Sequence, residues 1–499
     1  MSTLTPLDLD RPTRVSAPRR LLALAGAALV AIAWWQVWDT TAELTVTTLE
    51  QDGVPLDLLV PAEAVDAPGI VVAHGFSGSR QLMRSTALAL ADAGFVVAVP
   101  DLSGHGANRS PLVRDDEGAG LVSDVLAAVD ALAAVPEVRS GPVGLLGHSM
   151  GSGAVLRTGI EYPDRIAAVV AVSPTDAEVT PALPGDLLLL AGEREPRFVA
   201  NARSLLERAV DPDAPEGEGP RRELVVVAGV EHVSILFSAR MHAEAATWFA
   251  TTFDVAVSDD PRPVSPMAWW AVHLVGVVLL WRMLAPVLVD RIITDGGAAG
   301  RGLLGAALGG IGATVVVAII GATVDLTAVG GMLVAPVLAG WLLLAGWAWS
   351  AVGARPPRPD GRDLGWAVVL VLVLWLALGA MGPRVWLPAS PGGLRLALVL
   401  PFVALALPWT LALAVTMQGP RGWRAAGRWV LLAVVTTLTL GLAAGFVPAL
   451  GFLALLLPLI PVLLSVAVVV WLPVQRPWAG GLATAVLLAW MLALLFPLV

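Results

Sequence analysis

The residues best placed for chemistry in this sequence form one short turn, Gly147-His148-Ser149-Met150-Gly151. A serine between two glycines, after an apolar run and before a segment of small residues, is typical of a nucleophile elbow, in which a tight turn lifts the hydroxyl clear of a sheet. A serine alcohol attacks only when a base takes its proton, a third group orients that base and N–H donors stabilise the oxyanion. The turn therefore predicts three further features elsewhere in the chain.

The first feature is a histidine base. In hydrolases with this elbow the order along the chain is serine, acid, histidine, so the base should follow Ser149. His232 comes directly after the apolar run 224–228, where the carboxyl end of a strand would present it. His242 falls in the next helical segment and is interpreted as a surface or packing histidine, and His273 lies inside an apolar span. We therefore predict His232 as the base.

The second feature is a carboxylate that orients the histidine. The apolar run 187–190 leads into a turn that contains Glu193 and Glu195, and a carboxylate there would lie within reach of a histidine two segments later. Glu195 is our first choice. Glu193 remains an alternative, as does Asp176, which follows the preceding strand. If it is not catalytic, each of the three is a solvated loop carboxylate or the ion-pair partner of an arginine such as Arg194.

The third feature is the oxyanion hole. One donor should be the backbone N–H of the residue after the nucleophile, Met150, and the other should come from a loop after an earlier strand. The sequence His74-Gly75-Phe76 follows the apolar run 70–73, so the N–H of Phe76 is the predicted second donor. The string from Asp101 to Gly106 follows the next strand and is expected to shape the floor of the site, with its histidine in a structural role.

These residues need a sheet that brings several strand ends together. Two runs flank Asp52-Gly53, a pair typical of a hairpin turn. After them, short β-branched runs alternate with longer helical patterns, which predicts a mainly parallel sheet with helices on both faces. The predicted strands are 44–48, 54–60, 70–73, 95–99, 143–146, 167–172, 187–191 and 224–228.

Taken together, the motifs resemble the α/β-hydrolase superfamily, and within it the branch of monoacylglycerol lipases, serine aminopeptidases and dienelactone hydrolases. The resemblance covers about residues 43–255. It implies a triad of Ser149, Glu195 and His232, an oxyanion hole of the Phe76 and Met150 amides, and hydrolysis of an ester, thioester or amide through an acyl-enzyme. This sequence departs from the branch in having Glu195 in place of the usual aspartate and Ser152 where a second glycine is common.

A cap over the site is not expected. Lids in this superfamily are usually inserted before the strand that carries the acid, and only about a dozen residues separate Ser173 from Leu187. An uncapped site favours small or exposed acyl groups, although a neighbouring bilayer could deliver lipid.

Much of the chain is expected to lie in lipid. The 499 residues are 57% hydrophobic, with a mean hydropathy of +0.77, well above a soluble average. The apolar stretch 21–38 spans about 27 Å as a helix, enough to cross a bilayer core. Ala31-Ile32-Ala33 has the form of a signal-peptidase site, but Trp34, Trp35 and Trp38 follow at once as an interfacial belt, which favours an uncleaved anchor.

The predicted organisation is an α/β-hydrolase sheet domain flanked by one N-terminal and about eight C-terminal transmembrane helices. The C-terminal spans are centred near residues 278, 313, 340, 374, 406, 439, 462 and 489. The predicted segments are a cytoplasmic tail 1–20, an anchor 21–38, the hydrolase domain 43–255, a linker 256–267 that contains the polar run 259–263, and a membrane domain 268–499.

Arginine in the loops predicts the orientation, because basic residues collect on the cytoplasmic side of short loops. With the N-terminus inside, the short outside loops hold only Arg384 and Arg395. The inside segments hold Arg11, Arg14, Arg19, Arg20, Arg291, Arg301, Arg355, Arg358, Arg362, Arg421, Arg424, Arg428 and Arg476. This predicts an integral cell-membrane protein whose N-terminus is cytoplasmic and whose hydrolase domain is extracytoplasmic.

The composition excludes several classes of binding partner. The net charge is −9 and there is no basic face for phosphates, so nucleic acid is not an expected partner. The absence of cysteine excludes disulfides, a cysteine nucleophile and thiolate metal sites, and no cofactor or metal is expected. The expected partners are a small-molecule or lipid-like acyl substrate and the bilayer, and the sequence identifies no protein partner. The alternative function is a polytopic transporter or membrane assembly protein with a non-catalytic, hydrolase-like binding domain.

Overall fold

The architecture is taken from a computed structural model of the full chain. The structure describes residues 17–114, 118–213, 215, 219–256, 266–288 and 299–499. The predicted linker run 259–263 and the predicted cytoplasmic residues Arg11, Arg14 and Arg291 lie outside these ranges. A sheet domain is followed by a block of apolar helices, and one further apolar helix precedes the sheet.

The sheet has eight strands in the order β1-β2-β4-β3-β5-β6-β7-β8. The hairpin at Asp52-Gly53 pairs β1 and β2 antiparallel, and β2 is antiparallel to β4, whereas every other neighbouring pair is parallel. The prediction of a mainly parallel sheet that begins with a hairpin is therefore confirmed. The strands are β1 Leu44–Gln51, β2 Val54–Pro61, β3 Gly69–Ala73, β4 Val96–Pro100, β5 Val143–His148, β6 Ile166–Val172, β7 Asp186–Gly192 and β8 Arg222–Val227.

Helices cover both faces of the sheet because successive side chains of a strand point to opposite faces. In β3, Ile70 and Val72 pack with one group of helices, and Val71 and Ala73 with the other. The first group is α2 Arg84–Asp92 and α6 Ala239–Phe253; the second is α3 Ala119–Ala133, α4 Met150–Glu161 and α5 Pro196–Ala209. The strands β3 to β7 are buried almost throughout, as fully covered parallel strands should be.

Outside the sheet domain, the described residues hold eight helices long and apolar enough to cross a membrane. The N-terminal helix is α1 Ala17–Asp39, which packs along the first helix after the sheet domain. The remaining helices are α7 Pro266–Leu288, α8 Ala299–Gly321, α9 Ala335–Val352, α10 Gly361–Leu374, α11 Leu394–Thr416, α12 Trp423–Phe446, α13 Leu453–Leu456, α14 Ile460–Trp471 and α15 Pro477–Leu495.

The span predicted near residue 462 is not one straight helix. Two segments, Pro448–Leu456 and Ile460–Trp471, meet at an angle of 70°. Pro458 lies between them and Pro461 follows at the start of α14, where neither residue can continue a regular hydrogen-bond ladder from the preceding turn. We call this element the bent pair. Counted as one crossing, it brings the apolar spans to nine within the described ranges.

One end of the helix block contacts the sheet domain. Backbone hydrogen bonds link Leu498, just after α15, to Leu112 and to Gly104, with N···O distances of 2.8 and 2.9 Å. Arg395, at the start of α11, donates to the carbonyl of Gly104 and, at 2.7 Å, to that of Phe496. The loops at this end and the carboxyl edge of the sheet therefore form one interface.

The other end of the helix block is held by its own polar contacts. Arg476, before α15, donates to Asp360 at 2.8 Å and to Asp363 at 3.1 Å. The amide of Gln418, after α11, donates to the carbonyl of Gln475 at 3.4 Å. Because these residues lie at the opposite ends of α11 and α15 from the sheet domain, the helices run from the sheet interface to a second, distant polar layer.

Candidate active site

Ser149 stands at the junction of β5 and α4 with φ 52° and ψ −118°, in a region that L-residues seldom adopt. The flanking glycines make this turn possible. A Cβ at Gly147 would lie 2.2 Å from the carbonyl oxygen of Gly151, and a Cβ at Gly151 would lie 2.5 Å from that of His74. Both distances are shorter than any side chain tolerates, so the Gly-x-Ser-x-Gly pattern is a steric requirement of this turn.

The structure brings Ser149, His232 and Glu195 together in one chain of hydrogen bonds. His232 Nε2 lies 3.1 Å from Ser149 Oγ, and His232 Nδ1 lies 2.8 Å from Glu195 Oε2. The carboxylate can only accept, so Nδ1 carries the proton and Nε2 is free to take the serine proton. Relative exposures of 9, 5 and 6% for the three residues show that the chain of bonds is shielded from bulk water.

Glu195 is held in place by two further donors. Its Oε1 accepts from Ser173 Oγ at 2.7 Å and from the N–H of Gly192 at 2.5 Å, so every oxygen of the carboxylate is engaged. The other candidate acids are elsewhere. Glu193 is exposed and accepts from the N–H of Gly229 at 2.9 Å, and Asp176 forms an exposed ion pair with Arg208.

Two aromatic rings fix the plane of His232. The ring of Phe198, from α5, stacks on the imidazole with centroids 4.2 Å apart and an interplanar angle of 21°. The ring of His148 lies 4.7 Å from the same imidazole, and its Nε2 donates to the backbone carbonyl of His232 at 2.9 Å. The imidazole is therefore constrained by packing as well as by its carboxylate.

The predicted oxyanion donors flank the nucleophile. Met150 is the first residue of α4, where backbone N–H groups have no partner within the helix. The Phe76 loop is close, because a Cβ at Gly75 would lie 3.0 Å from Ser149 Cβ. Within the described ranges, neither the N–H of Phe76 nor that of Met150 donates to a protein acceptor. Both amides are free to bind a developing negative charge.

The segment from Asp101 to Gly106 contacts the loop that carries Phe76. Asp101 accepts from the N–H groups of Arg80 and Ala107 at 2.8 and 2.9 Å and pairs with the Arg80 guanidinium. His74 Nε2 accepts from the N–H of Leu102 at 3.0 Å, so its Nδ1 donates to the carbonyl of Gly75 at 2.8 Å. The floor of the site and the oxyanion loop thus share a buried polar network.

Three residues that contribute to the site were missed by the sequence analysis or recognised only as a departure. Ser173 and Phe198 carry no local signal, since a positive φ at Ser173 and a ring after Pro196 are features of the folded chain. Ser152 was noted as an exception to the family pattern. Its Oγ donates to the carbonyl of Ser149 at 2.5 Å and accepts from the N–H of Thr175 at 3.0 Å, so it ties the elbow to the loop after β6.

The expectation of an uncovered site is wrong. No helix stands between β6 and β7, as predicted, but the apolar helices close over the site instead. The ring of Phe76 packs edge-on against Phe452 of the bent pair at a centroid distance of 4.7 Å. The segment that covers the site therefore lies about two hundred residues after the sheet domain. No local sequence pattern predicts this contact.

The strand order, the elbow and the loops at the carboxyl edge of the sheet define an α/β-hydrolase domain, here joined to a block of long apolar helices. Residues 67–208 match the model of a family described as serine aminopeptidase, S33.

Two curated proteins are similar to part of this chain. Epoxide hydrolase A of Mycobacterium tuberculosis is 31% identical over 141 residues, which are 28% of this chain and 40% of that protein. The thermostable monoacylglycerol lipase of a Bacillus species is 29% identical over 158 residues, which are 31% of this chain and 58% of the lipase. The chain thus spans less than two thirds of the length of either relative.

Among solved structures, the dienelactone hydrolase of Anabaena variabilis aligns over 42% of this chain and 98% of its own, with 23% identity and a TM-score of 0.34. The recognition of an α/β-hydrolase domain with a helical C-terminal region is confirmed by the family match and the fold. The roles of the individual residues rest on the geometry above.

The carboxylate assignment has a direct test. Because Glu195 holds His232 in the tautomer that accepts the serine proton, Glu195→Gln should lower kcat for an activated ester by about 10³- to 10⁴-fold. Glu193→Gln is the matched control and should stay close to wild type, since Glu193 does not contact His232. Steady-state kinetics on the purified full chain measure both, and equal effects of the two substitutions would contradict the assignment.

Buried histidines make the sheet domain sensitive to acid. Burial lowers the pKa of His242 to about 4 and is also the main cause that lowers those of His74, His105 and His148. Below pH 6.5 the unfolded chain binds protons that the folded chain does not, so stability falls as the pH falls towards 4.

His242 offers the substitution that isolates this effect. Its Nε2 donates to the carbonyl of Leu236 at 2.9 Å, a bond that a glutamine amide can replace. Relative to pH 7, His242→Gln should remove about 2–3 kcal/mol of the destabilisation measured near pH 4.5. Thermal unfolding of the detergent-solubilised full chain at the two pH values checks this, and an unchanged pH dependence in the variant would refute it.

Proposed function

We propose that this protein is a membrane-tethered serine hydrolase that cleaves an ester, thioester or amide through an acyl-enzyme intermediate. The observation that carries the proposal is the continuous set of hydrogen bonds from Glu195 through His232 to Ser149, at 2.8 and 3.1 Å. The family match and the two similar hydrolases support the wider class. An oxygen nucleophile, an oriented base and two free amides are what acyl transfer needs.

The chemistry follows from the positions of these groups. Ser149 Oγ attacks the acyl carbon while its proton passes to His232 Nε2, and the oxyanion is stabilised by the amides of Phe76 and Met150. The bond to the leaving group breaks, and the leaving group takes the proton from His232. Water then gives a proton to His232, attacks the acyl-serine and releases the acid, with the proton returning to Ser149. The Glu195 carboxylate stabilises the imidazolium in both halves.

Membrane tethering is supported by the helix block. Among the described residues, eight helices meet the length and hydropathy of spans, and the bent pair adds a ninth if it is counted as one crossing. The loops assigned outside by the arginine pattern are the ones that contact the sheet domain, through Arg395 and Leu498, whereas the assigned inside loops contact one another, through Arg476 and Asp360. We therefore propose an extracytoplasmic hydrolase domain and a cytoplasmic N-terminus.

Active-site labelling tests the nucleophile. A fluorophosphonate probe forms a bond from phosphorus to an activated serine oxygen with loss of fluoride, so wild-type protein should be labelled and Ser149→Ala should not. Ser204→Ala is the control, because Ser204 is an exposed serine of α5 that makes no contact with the site. Gel fluorescence of the purified full chain reads out all three. Labelling of Ser149→Ala at the wild-type level, or no labelling of the wild type, would contradict the proposal.

The orientation can be tested with single cysteines, because the chain has none of its own. Ser204→Cys places a thiol on the sheet domain, and Gly361→Cys places one at the first residue of α10, where a Cβ meets open space. A membrane-impermeant maleimide should label the first variant in intact cells and the second only after permeabilisation. The reverse pattern would overturn the orientation, and labelling of both variants in intact cells would overturn the separation by a membrane.

A further inference from the structure

An apolar space lies between the candidate active site and the helix block. It has a volume of about 200 Å³, and its walls come from the oxyanion loop on one side and from spanning helices on the other. Most of its lining residues are leucines. Representative members from the different helices are Leu338, Leu342, Phe452, Leu456, Leu463 and Met491. We call this space the helix cavity.

One end of the helix cavity is the active site itself. Gly75, Phe76 and His232 line it together with the helix residues. Whatever occupies the cavity therefore lies beside the imidazole that contacts Ser149 Oγ and beside the predicted oxyanion loop. The polar residues of the lining, Ser77, Ser79, His148 and His232, all come from the sheet domain, and the helix side is almost wholly apolar. A ligand with one reactive polar group and a long apolar remainder matches this lining.

The bent pair also lines the cavity. Leu459 lines the cavity and is 38% exposed, and Val462, one turn further along, is 58% exposed. Exposed leucine and valine on a spanning segment face lipid when the helix block is in a membrane. The 70° bend therefore places the wall of the cavity and the surface towards lipid on the same short segment.

We propose that the substrate is an acyl ester of a membrane lipid, whose acyl chain enters the helix cavity sideways past the bent pair and lies there while Ser149 attacks the ester carbon. This inference rests on the proposed function. Hydrolysis transfers the acyl group to Ser149 Oγ, releases the lipid alcohol, and uses one water to release the fatty acid.

Transfer from the bilayer to this cavity exchanges one apolar environment for another. The chain therefore gains little free energy from burial itself. The function of the cavity is instead to position the chain so that its ester reaches the nucleophile. A water-soluble ester with a short acyl group would leave the cavity unfilled and would not be drawn from the membrane, so it should be the poorer substrate.

A probe that combines attachment and photocrosslinking tests where the chain lies. An alkyl fluorophosphonate with a long chain and a terminal diazirine is added to the full chain in phosphatidylcholine vesicles, then irradiated, and the crosslinked peptides are mapped. Attachment at Ser149 with crosslinks in residues 452–464 and 487–496 is the expected result. Attachment at Ser149 with crosslinks confined to the sheet domain, or to lipid alone, would overturn the acyl-chain inference and leave the hydrolase proposal standing. Failure to attach at Ser149 would remove both.

Cavity filling provides a second test with a matched control. Leu456→Trp adds volume inside the cavity, whereas Leu438→Trp adds the same volume on α12, where Leu438 is 64% exposed and does not line the cavity. The ratio of kcat/KM for a palmitoyl ester to that for the acetyl ester of the same alcohol should fall at least about tenfold in Leu456→Trp. It should be unchanged in Leu438→Trp.

These variants distinguish a misfolded protein from an incorrect inference. Labelling by a short-chain fluorophosphonate shows whether Leu456→Trp keeps a folded site, and Leu463→Phe is a smaller filling change for use if it does not. An unchanged ratio in a folded cavity variant would contradict the inference, and so would a wild-type enzyme that prefers the acetyl ester. A non-reactive lipid bound in the cavity would give the same contradictory result, because filling would then not alter chain-length preference.

Discussion

The arrangement of the site depends on one hydrogen bond, from His232 Nδ1 to Glu195 Oε2 at 2.8 Å. It sets the tautomer of the imidazole and thereby directs the lone pair of Nε2 at Ser149. The bond requires the loops after β7 and β8 to meet at the carboxyl edge of the sheet, which the parallel pairing of these strands provides. The pair is buried at that edge, and this burial favours a fixed tautomer because it shields the carboxylate from bulk water.

Shielding of the site comes from the helix block. The segment between β6 and β7 contains no helix, and residues of the bent pair and α15 line the space beside the site instead. Arg395 connects the two parts, since its guanidinium donates to carbonyls on both sides of the interface. A buried arginine that donates only to carbonyls leaves its charge without an anion among these contacts, so movement of either part would leave those donors unpaired. The helix block is therefore part of the structure that covers the candidate active site.

Much of the sheet domain could be predicted from sequence because its signals are local. Buried parallel strands are short β-branched runs, and the catalytic candidates lie where such runs end. Chain order selected His232, and the turns after β6 and β7 left three candidate acids, Glu195, Glu193 and Asp176. The choice between Glu195 and Glu193 depends on side-chain direction in one turn, which the structure resolves through Gly192 and Ser173.

The site residues that could not be predicted from the sequence are those whose contacts join parts of the chain far apart in sequence. Phe198 becomes a neighbour of His232 only when α5 docks beside the loop after β8. Likewise, the contact of Phe76 with Phe452 joins parts of the chain separated by most of the helix block. The bend at Pro458 also escapes a hydropathy pattern, since proline is common in spanning helices and the apolar run continues through it. An open site was the natural expectation for these reasons.

Direct observation of the acyl-enzyme tests the central claim. The full chain is mixed with an activated acyl ester, quenched in acid and digested with trypsin, and mass spectrometry examines the peptide that follows Arg139 and ends at Arg157. We predict that this peptide gains the mass of the acyl group, that fragmentation places the group on Ser149, and that the adduct disappears as substrate is exhausted. Turnover of the ester with no acyl group on Ser149, or with the group on another residue, would contradict the account.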